Sequence, residues 1–583
     1  MLEIKNTIKL FDEKDKKKIV WIFLAIIVTT LLEAVSFAAV IPVFKVLFLN
    51  QIPEQIDYLF TNFLNFIEIK PFGENYSLGA SSLKKFIIII LFILIFLIKS
   101  VVLILFSYFL AKFFGNFCIK ISNKIFNYCL NQDYLFFIDN TMQDFLRKVT
   151  TDVNGVKSYV ISGINLFIEI MFLVAISLLL IFVNYQIFLF AIIIFTIVFS
   201  IYFYVVKKKI ITWSFLFQKN NGLLHNLVFD GIKGIKDIIC YSLEKKYLND
   251  FSKNVDNIYS SQLKIDFLNN IQRFWMETVA VLAMSLPLIF FMYYKVDVKE
   301  LIPIFGLYGI AIFRLVPSLN RIVMHIQNIN FYKPSFDAVY DVLNNSKFYS
   351  NNSHANPIFF KKCIEFKNVD FFFKDVNKKI LNNVNLLINK GDCIAIKGLN
   401  GSGKTTILNL ISGLIKEKSG SILVDGTYKI YENKNVWSKN ISYVQQNIFL
   451  LNTSIKNNII LDEKKFDEKK FEKITSLLDL NLFFSNLTNG INSVVGSDGI
   501  TLSGGQKQII SIARALYKDT DIIIFDEPNS ALDEEKSVLL SEVIKIVNLN
   551  KTIIVVTHDL NSFKGCFNKI FSIKNGIIFT ESV

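Results

Sequence analysis

GDCIAIKGLNGSGKTTILNLISGL, residues 391–414, sets an apolar run, a glycine-rich turn and an amphipathic stretch in direct succession. The turn carries Gly398, Gly401, Ser402, Gly403, Lys404, Thr405 and Thr406, which satisfy the phosphate-loop spacing GxxxxGK[ST] in the strand-loop-helix setting it needs. Glycines let backbone amides close around phosphate oxygens, and the following helix start adds positive potential. Lys404 would reach the outer phosphates, and the Thr405 hydroxyl can ligate magnesium.

Outward from this loop, Ile522 to Phe525 form an apolar run, as expected of a strand buried on both faces, and it ends in Asp526 and Glu527. Such sheets present catalysis at their strand ends. Asp526 would hold magnesium through water, and Glu527 would polarise the water that attacks the terminal phosphate. His558 follows a second apolar strand, Thr552 to Val556, and can orient that phosphate. Upstream, Asn344 to Pro357 is rich in asparagine and serine and reads as a linker, so the expected soluble domain is 358–583.

Leu502 to Gln506 read LSGGQ and Ser530 to Asp533 read SALD. With the phosphate loop, the Asp526–Glu527 strand end and His558, they resemble the nucleotide-binding domain of ABC transporters. That resemblance implies ATP and Mg2+ as cofactors, Gln446 as the residue that senses magnesium and couples to the membrane domain, Phe373 as the ring stacked on adenine, and Asp498 within a cross-talk loop. It implies that Ser503, Gly504, Gly505 and Gln506 meet nucleotide held by a second copy, so a homodimer is the simplest assembly, with a paralogous partner as the alternative. Gln445, Pro528 and Ile509 depart from the common pattern without removing a catalytic group.

The front of the chain is different. Of 583 residues, 52% are hydrophobic and 19% charged, against about 25% charged in soluble proteins. Six apolar spans are expected, near Ile19 to Leu47, Phe86 to Phe114, Tyr159 to Val183, Ile187 to Val206, Phe274 to Tyr294 and Leu301 to Phe331. An even number puts both termini on one side, and the basic flanks favour the cytoplasm. The net charge of +14 sits largely in those flanks, which argues against a nucleic-acid partner. The first span is too long for a signal peptide and should remain as an anchor, and the six cysteines read as free thiols. Asn184 to Gln186 and Lys295 to Glu300 read as tight turns. The long polar connections should extend the helices into the cytosol and end in transverse segments near Phe137 to Phe145 and Phe229 to Lys236. The expected fold is therefore a six-helix transmembrane domain of ABC exporter type, residues 1–343, fused to a cytosolic α/β P-loop nucleotide-binding domain.

Glu33, Lys99, Glu169 and Arg314 fall near mid-span, where charge must be paired or face water. Arg314, Ser318, Arg321, His325 and Asn328 form one polar stripe on the sixth span. Two readings stay open: internal ion pairs, or a substrate cavity touched by Lys99, Arg314 and Arg321. Arg273 is a weaker candidate, because Glu277 lies one helical turn away. FRLVPSLNRI, residues 313–322, and NFYKPSFDAVYDVL, residues 330–343, are similar to bacterial flippases of lipid-linked oligosaccharide. That resemblance implies ATP-driven export of a polyprenyl-diphosphate oligosaccharide or similar anionic glycolipid across the bacterial inner membrane. Phospholipid or lipid A flipping and multidrug export are the alternatives, and an ATP-gated channel or regulator is a reading from another class. An external helix between Asn50 and Lys85 has no readable role.

Overall fold

The computed structural model describes residues 4–40, 43, 80–183, 185–293, 298–345, 357–373, 379–462, 464, 466–496, 500 and 502–581. Among the described residues the first ten α-helices are α1 (Ile4–Lys9), α2 (Glu13–Ala38), α3 (Ala80–Leu130), α4 (Tyr134–Asp139), α5 (Met142–Arg147), α6 (Val153–Val183), α7 (Tyr185–Lys233), α8 (Ile235–Cys240), α9 (Glu244–Tyr293) and α10 (Val298–Asn345), with a π turn at Lys148–Asp152 before α6. They belong to one compact unit, Met1–Gln132 with Asn140–Tyr349, except α4. The second unit is Asp133–Asp139 with Ser350–Val583.

Among the described residues, each of the six expected spans overlaps a long helix: α2, α3, α6, α7, α9 and α10. At 1.5 Å per residue the 51 residues of α3 reach about 75 Å, more than twice the ~30 Å hydrocarbon core, so the helices continue beyond a bilayer. Among the described residues, Glu13–Ala38, Lys85–Leu130 and Asp144–Phe182 are long and apolar enough to cross a membrane by composition alone. The end of the first expected span, Asn184 and the external segment from 50 to 79 lie outside the described residues.

Local chemistry moves several boundaries. The first transverse segment is two short helices, α4 and α5, and the Thr141 hydroxyl caps α5 by accepting from the Asp144 N–H at 3.4 Å. Gly231 stays helical; the break falls at Gly234, so the second transverse segment is α8, later than Phe229 to Lys236. Val298 to Glu300, expected in a turn, already belong to α10.

The second unit is built on β1 (Cys363–Phe371), β2 (Leu381–Asn389), β3 (Cys393–Gly398), β4 (Ser419–Val424), β5 (Tyr428–Lys429), β6 (Ile441–Val444), β7 (Thr453–Ser454), β8 (Val494–Val495), β9 (Ile522–Asp526), β10 (Thr552–Val556), β11 (Lys569–Lys574) and β12 (Ile577–Glu581). A six-stranded sheet runs β12-β11-β3-β10-β9-β6, parallel except for β12, and an antiparallel sheet runs β2-β1-β4-β5. Every residue of β9 and β10 is buried. Alternation explains why: Ile523, Phe525, Ile553 and Val555 enter one core, while Ile522, Ile524, Ile554 and Val556 enter the other. The first core includes α12 (Gly504–Lys518), and the second includes α11 (Lys404–Ile411) and the antiparallel sheet.

Candidate functional site

Parallel register gathers the loops. Val556 lies opposite both Ile396 and Asp526, so the phosphate loop after β3, the acidic pair after β9 and His558 after β10 emerge at one edge.

Gly398 ends β3 where a Cβ would lie 2.6 Å from Ser402 Oγ and 2.8 Å from the Ile573 carbonyl, so no side chain fits. Gly401 and Gly403 take φ of +76° and +105°, left-handed values that favour glycine. Lys404 opens α11; its ammonium donates to the Gly398 carbonyl at 2.7 Å and the Leu399 carbonyl at 3.3 Å. Burial pushes this amine below its usual range, while Glu527 and Asp526 act in the opposite sense. The loop is thus a cradle of amides around a desolvated cation, closed on its own carbonyls. Ser402 Oγ is buried with no hydrogen-bond partner among the described residues, and Thr406, four positions on, is buried as well. An oxyanion supplies the acceptor that both the cation and the hydroxyl can use, so the loop fits phosphate.

Asp526 is 5% exposed, and its Oδ2 accepts from Tyr443 Oη at 3.2 Å and Thr405 Oγ1 at 3.5 Å. Burial raises this carboxyl above the usual range. Glu527 adopts φ of +48°, an uncommon value for a residue with a side chain, held by its N–H donating to Val556 O at 2.9 Å. Gln446 Nε2 donates to Glu527 Oε2 at 2.8 Å. His558 Nε2 sits 3.2 Å from Glu527 Oε1 and 2.8 Å from Lys404 Nζ. Unprotonated, that nitrogen accepts from Lys404; protonated, it donates to Glu527.

Ser503 and Gln506 form a reciprocal capping box: Ser503 Oγ accepts from the Gln506 N–H at 3.2 Å, and Gln506 Oε1 accepts from the Ser503 N–H at 2.9 Å. Cβ atoms on Gly504 and Gly505 would lie 3.2 Å and 3.0 Å from Ala531. The structure therefore brings Lys404, Thr405, Gln446, Asp526, Glu527 and His558 together. Among the described residues no hydrogen bond links them to Ser503, Gly504, Gly505 or Gln506. Phe373 stands with its ring perpendicular to Phe371, centroids 5.2 Å apart, partly buried against the core. Asp498 lies outside the described residues.

Sequence reasoning missed two supports. Tyr443 precedes Gln446 by three residues, and only the register of its strand shows that it reaches Asp526. Arg514 on α12 donates to the Asn458 carbonyl at 2.7 Å, the Phe449 carbonyl at 3.0 Å and Asn458 Oδ1 at 3.0 Å. It ties the helix behind LSGGQ to the segment that follows Gln446.

In the helical unit, the mid-span charges find partners. Arg314 Nη2 donates to Glu33 Oε1 at 2.6 Å, with its guanidinium 4.8 Å from the Phe172 ring centre, and Lys99 Nζ lies 3.8 Å from the same carboxylate oxygen. Arg321 donates through Nε and Nη2 to Glu169, which also accepts from Ser318. His325 is buried in the same stripe. Lys99 and Arg314 thus share Glu33, and Arg321 pairs with Glu169. The side chain of Arg273 lies outside the described residues.

Comparison with known proteins completes this picture. The family "ABC transporter" matches residues 381–530, and "ABC transporter transmembrane region" matches residues 56–303. The chain is 28% identical over 477 residues to an ATP-dependent lipid A-core flippase of Wigglesworthia glossinidia brevipalpis, covering 79% of each. It is 29% identical over 498 residues to a multidrug resistance-like ATP-binding protein MdlA of Buchnera aphidicola, covering 83% of this chain and 85% of that one. A solved bacterial Atm1-family ABC exporter with ATP bound superposes with a TM-score of 0.75 at 17% identity, over 97% of this chain and 95% of that one.

Proposed function

Because the chain belongs to the ABC transporters, with an exporter-type helical transmembrane domain joined to an ATPase domain, we propose that it uses ATP to move an anionic lipid across a bacterial inner membrane. One observation carries the substrate class: Glu33 stands between two cations, Lys99 and Arg314, and balances only one of them. The group of three therefore keeps one positive charge in excess, the Arg314 side chain is 37% exposed, and arginine grips phosphate oxygens through two parallel hydrogen bonds. Arg321 stays neutralised by Glu169 until a stronger anion competes. The likeness to a lipid A-core flippase supports a lipid, and a polyprenyl-diphosphate oligosaccharide satisfies the same charge requirement.

The nucleotide site supports hydrolysis. Lys404 would exchange the Gly398 and Leu399 carbonyls for phosphate oxygens. Magnesium would lie among Thr405, Gln446 and Asp526, where it would neutralise charge on those phosphates. Glu527 would polarise the attacking water, freed from Gln446 and His558 as each turns to its own ligand. Ser503, Gly504, Gly505 and Gln506 would cap nucleotide held by a second copy, and Phe373 would lie on adenine.

A homodimer also explains α8. Ile232, Ile235, Ile239 and Tyr241 in and beside it are 71%, 52%, 59% and 74% exposed, an apolar patch suited to a protein partner. The deciding experiment is reconstitution in vesicles, comparing ATP-dependent flipping of polyprenyl-diphosphate oligosaccharide, lipid A, phosphatidylglycerol and a neutral amphipathic drug. Movement of the anionic lipids alone is expected. Equal movement of the neutral drug would sink the anionic reading.

A further inference from the structure

Within the helical unit, α5, the π turn, α6, α7 and α10 surround a cavity of about 380 Å³, inside the ~300–1,000 Å³ range of small-molecule sites. Its chemistry is mixed in a specific way. Arg147 and Lys219 line it with one acid, Asp152; Arg147 pairs with Asp152 at 3.4 Å and with Asp144 at 3.7 Å, whereas Lys219 has no acid within ion-pair reach among the described residues. Phe215, Phe331 and Tyr332 supply apolar ring faces.

Asp152 is the unusual member. It is 6% exposed, and Oδ1 accepts from Ser335 Oγ at 3.0 Å. Oδ2 is buried and accepts no hydrogen bond among the described residues, although Arg147 Nε lies 3.4 Å away. Arg147 thus meets this oxygen as an ion pair without an aligned hydrogen bond, and a ligand hydroxyl would supply one.

The surroundings are shaped to keep this space. The π turn Lys148–Asp152 changes the helical phase just where Asp152 meets the cavity. A Cβ on Gly155 would fall 2.6 Å from that of Ser335, so α6 and α10 approach closely enough for Ser335 to reach Asp152. Gly222 on α7 leaves room for Arg147, whose Nη1 would be 3.3 Å from an added Cβ.

Lys219 calls for an anion, the Asp152 carboxylate for a hydroxyl, and the aromatic faces for the C–H face of a sugar ring. We infer that this cavity binds the phosphosugar head of the transported lipid, phosphate on Arg147 and Lys219 and a sugar hydroxyl on Asp152. The inference rests on the anionic-lipid reading above and narrows it to a glycolipid. Phe331 lies ten residues beyond Arg321 on α10, roughly 15 Å along the helix, so the head would be held here apart from the charged stripe.

Saturation-transfer NMR tests this with N-acetylglucosamine 1-phosphate as probe. The full chain is held in lipid nanodiscs, with its nucleotide site filled by a non-hydrolysable ATP analogue. Gly222→Leu should fill the cavity, and Lys219→Glu, at an exposed position, should reverse its charge without disturbing packing. Each is expected to weaken probe binding on the order of tenfold, with inorganic phosphate and N-acetylglucosamine both binding less well than the joined molecule. Unchanged probe binding in both variants overturns the proposal, as does inorganic phosphate binding as tightly as the sugar phosphate. Variant-sensitive probe binding in a chain that moves no anionic lipid would uphold the cavity and remove the proposed function. Anionic-lipid flipping with variant-insensitive probe binding would do the reverse.

Discussion

The Tyr443 hydroxyl donates to Asp526 Oδ2 across 3.2 Å, from the strand next to the one that Asp526 ends. Parallel pairing makes this possible: Tyr443 lies opposite Ile524 and Val444 opposite Phe525, so the phenol reaches just past the end of β9. Burial pushes the phenol's pKa up, which keeps it a donor at any physiological pH.

Tyr443→Phe removes that donor without removing the ring. The expected loss is about 0.5–1.5 kcal/mol. It should appear as a several-fold rise in the magnesium concentration needed for half-maximal ATPase, with metal-free ATP binding unchanged. An unaltered magnesium titration would mean the hydroxyl serves packing only.

Glu527→Gln keeps the hydrogen-bonding shape of the Gln446 and His558 contacts but removes the base. Turnover should fall by roughly 10²–10⁴-fold while ATP stays bound in a stable dimer. Retained nucleotide counted after gel filtration, beside single-turnover hydrolysis, measures both. Wild-type hydrolysis in this variant would remove Glu527 from the chemistry.

The two arginine pairs should respond unequally. Arg321→Ala strands Glu169, 13% exposed, with Ser318 as its remaining partner, and should cost about 1–3 kcal/mol after allowing for the guanidinium's partial exposure. Arg314→Ala leaves Lys99 beside Glu33 and should cost under about 1 kcal/mol. It should impair lipid flipping while sparing basal ATPase. Thermal melts of both variants, with Glu169→Gln/Arg321→Gln as the repaired pair, test the ordering.

Asp133, just before α4, is paired with Lys434 of the same compact unit. Burial works to raise the Asp133 carboxyl, but the Lys434 ammonium and the Tyr431 hydroxyl outweigh it and hold it below the usual range. Its stabilisation is therefore complete above the unfolded value near ~3.9 and is lost as pH falls through the lower folded value. Asp133→Asn should leave basal ATPase intact and abolish its stimulation by transported lipid, because α4 is continuous in chain with α3 and α5. Stimulation equal to wild type would exclude this pair from coupling.

How much of this was legible in the sequence depended on range. The phosphate loop, the Asp526–Glu527 strand end and the LSGGQ helix are local patterns whose chemistry sits within a few residues, and they were readable. Partners distant in sequence were not. Nothing in the stretch around Glu33 says that Arg314, 281 positions away, will reach it, and Tyr443 gains its meaning only from strand register. Gly231 and Gly234 both fall within the expected transverse segment, yet Gly231 stays helical, because a single glycine costs a helix only about 1 kcal/mol, which the rest of α7 absorbs.

That α4 groups with the carboxyl half has a bearing on biosynthesis. Leu135 packs against a core containing Trp437 and Ile441, which leave the ribosome roughly 300 residues later. At 5–20 residues per second that is roughly 15–60 s, during which a nascent apolar helix stands uncovered. A chaperone that shields it over that interval, or a protease that recognises it when the carboxyl half fails, would find its handle there.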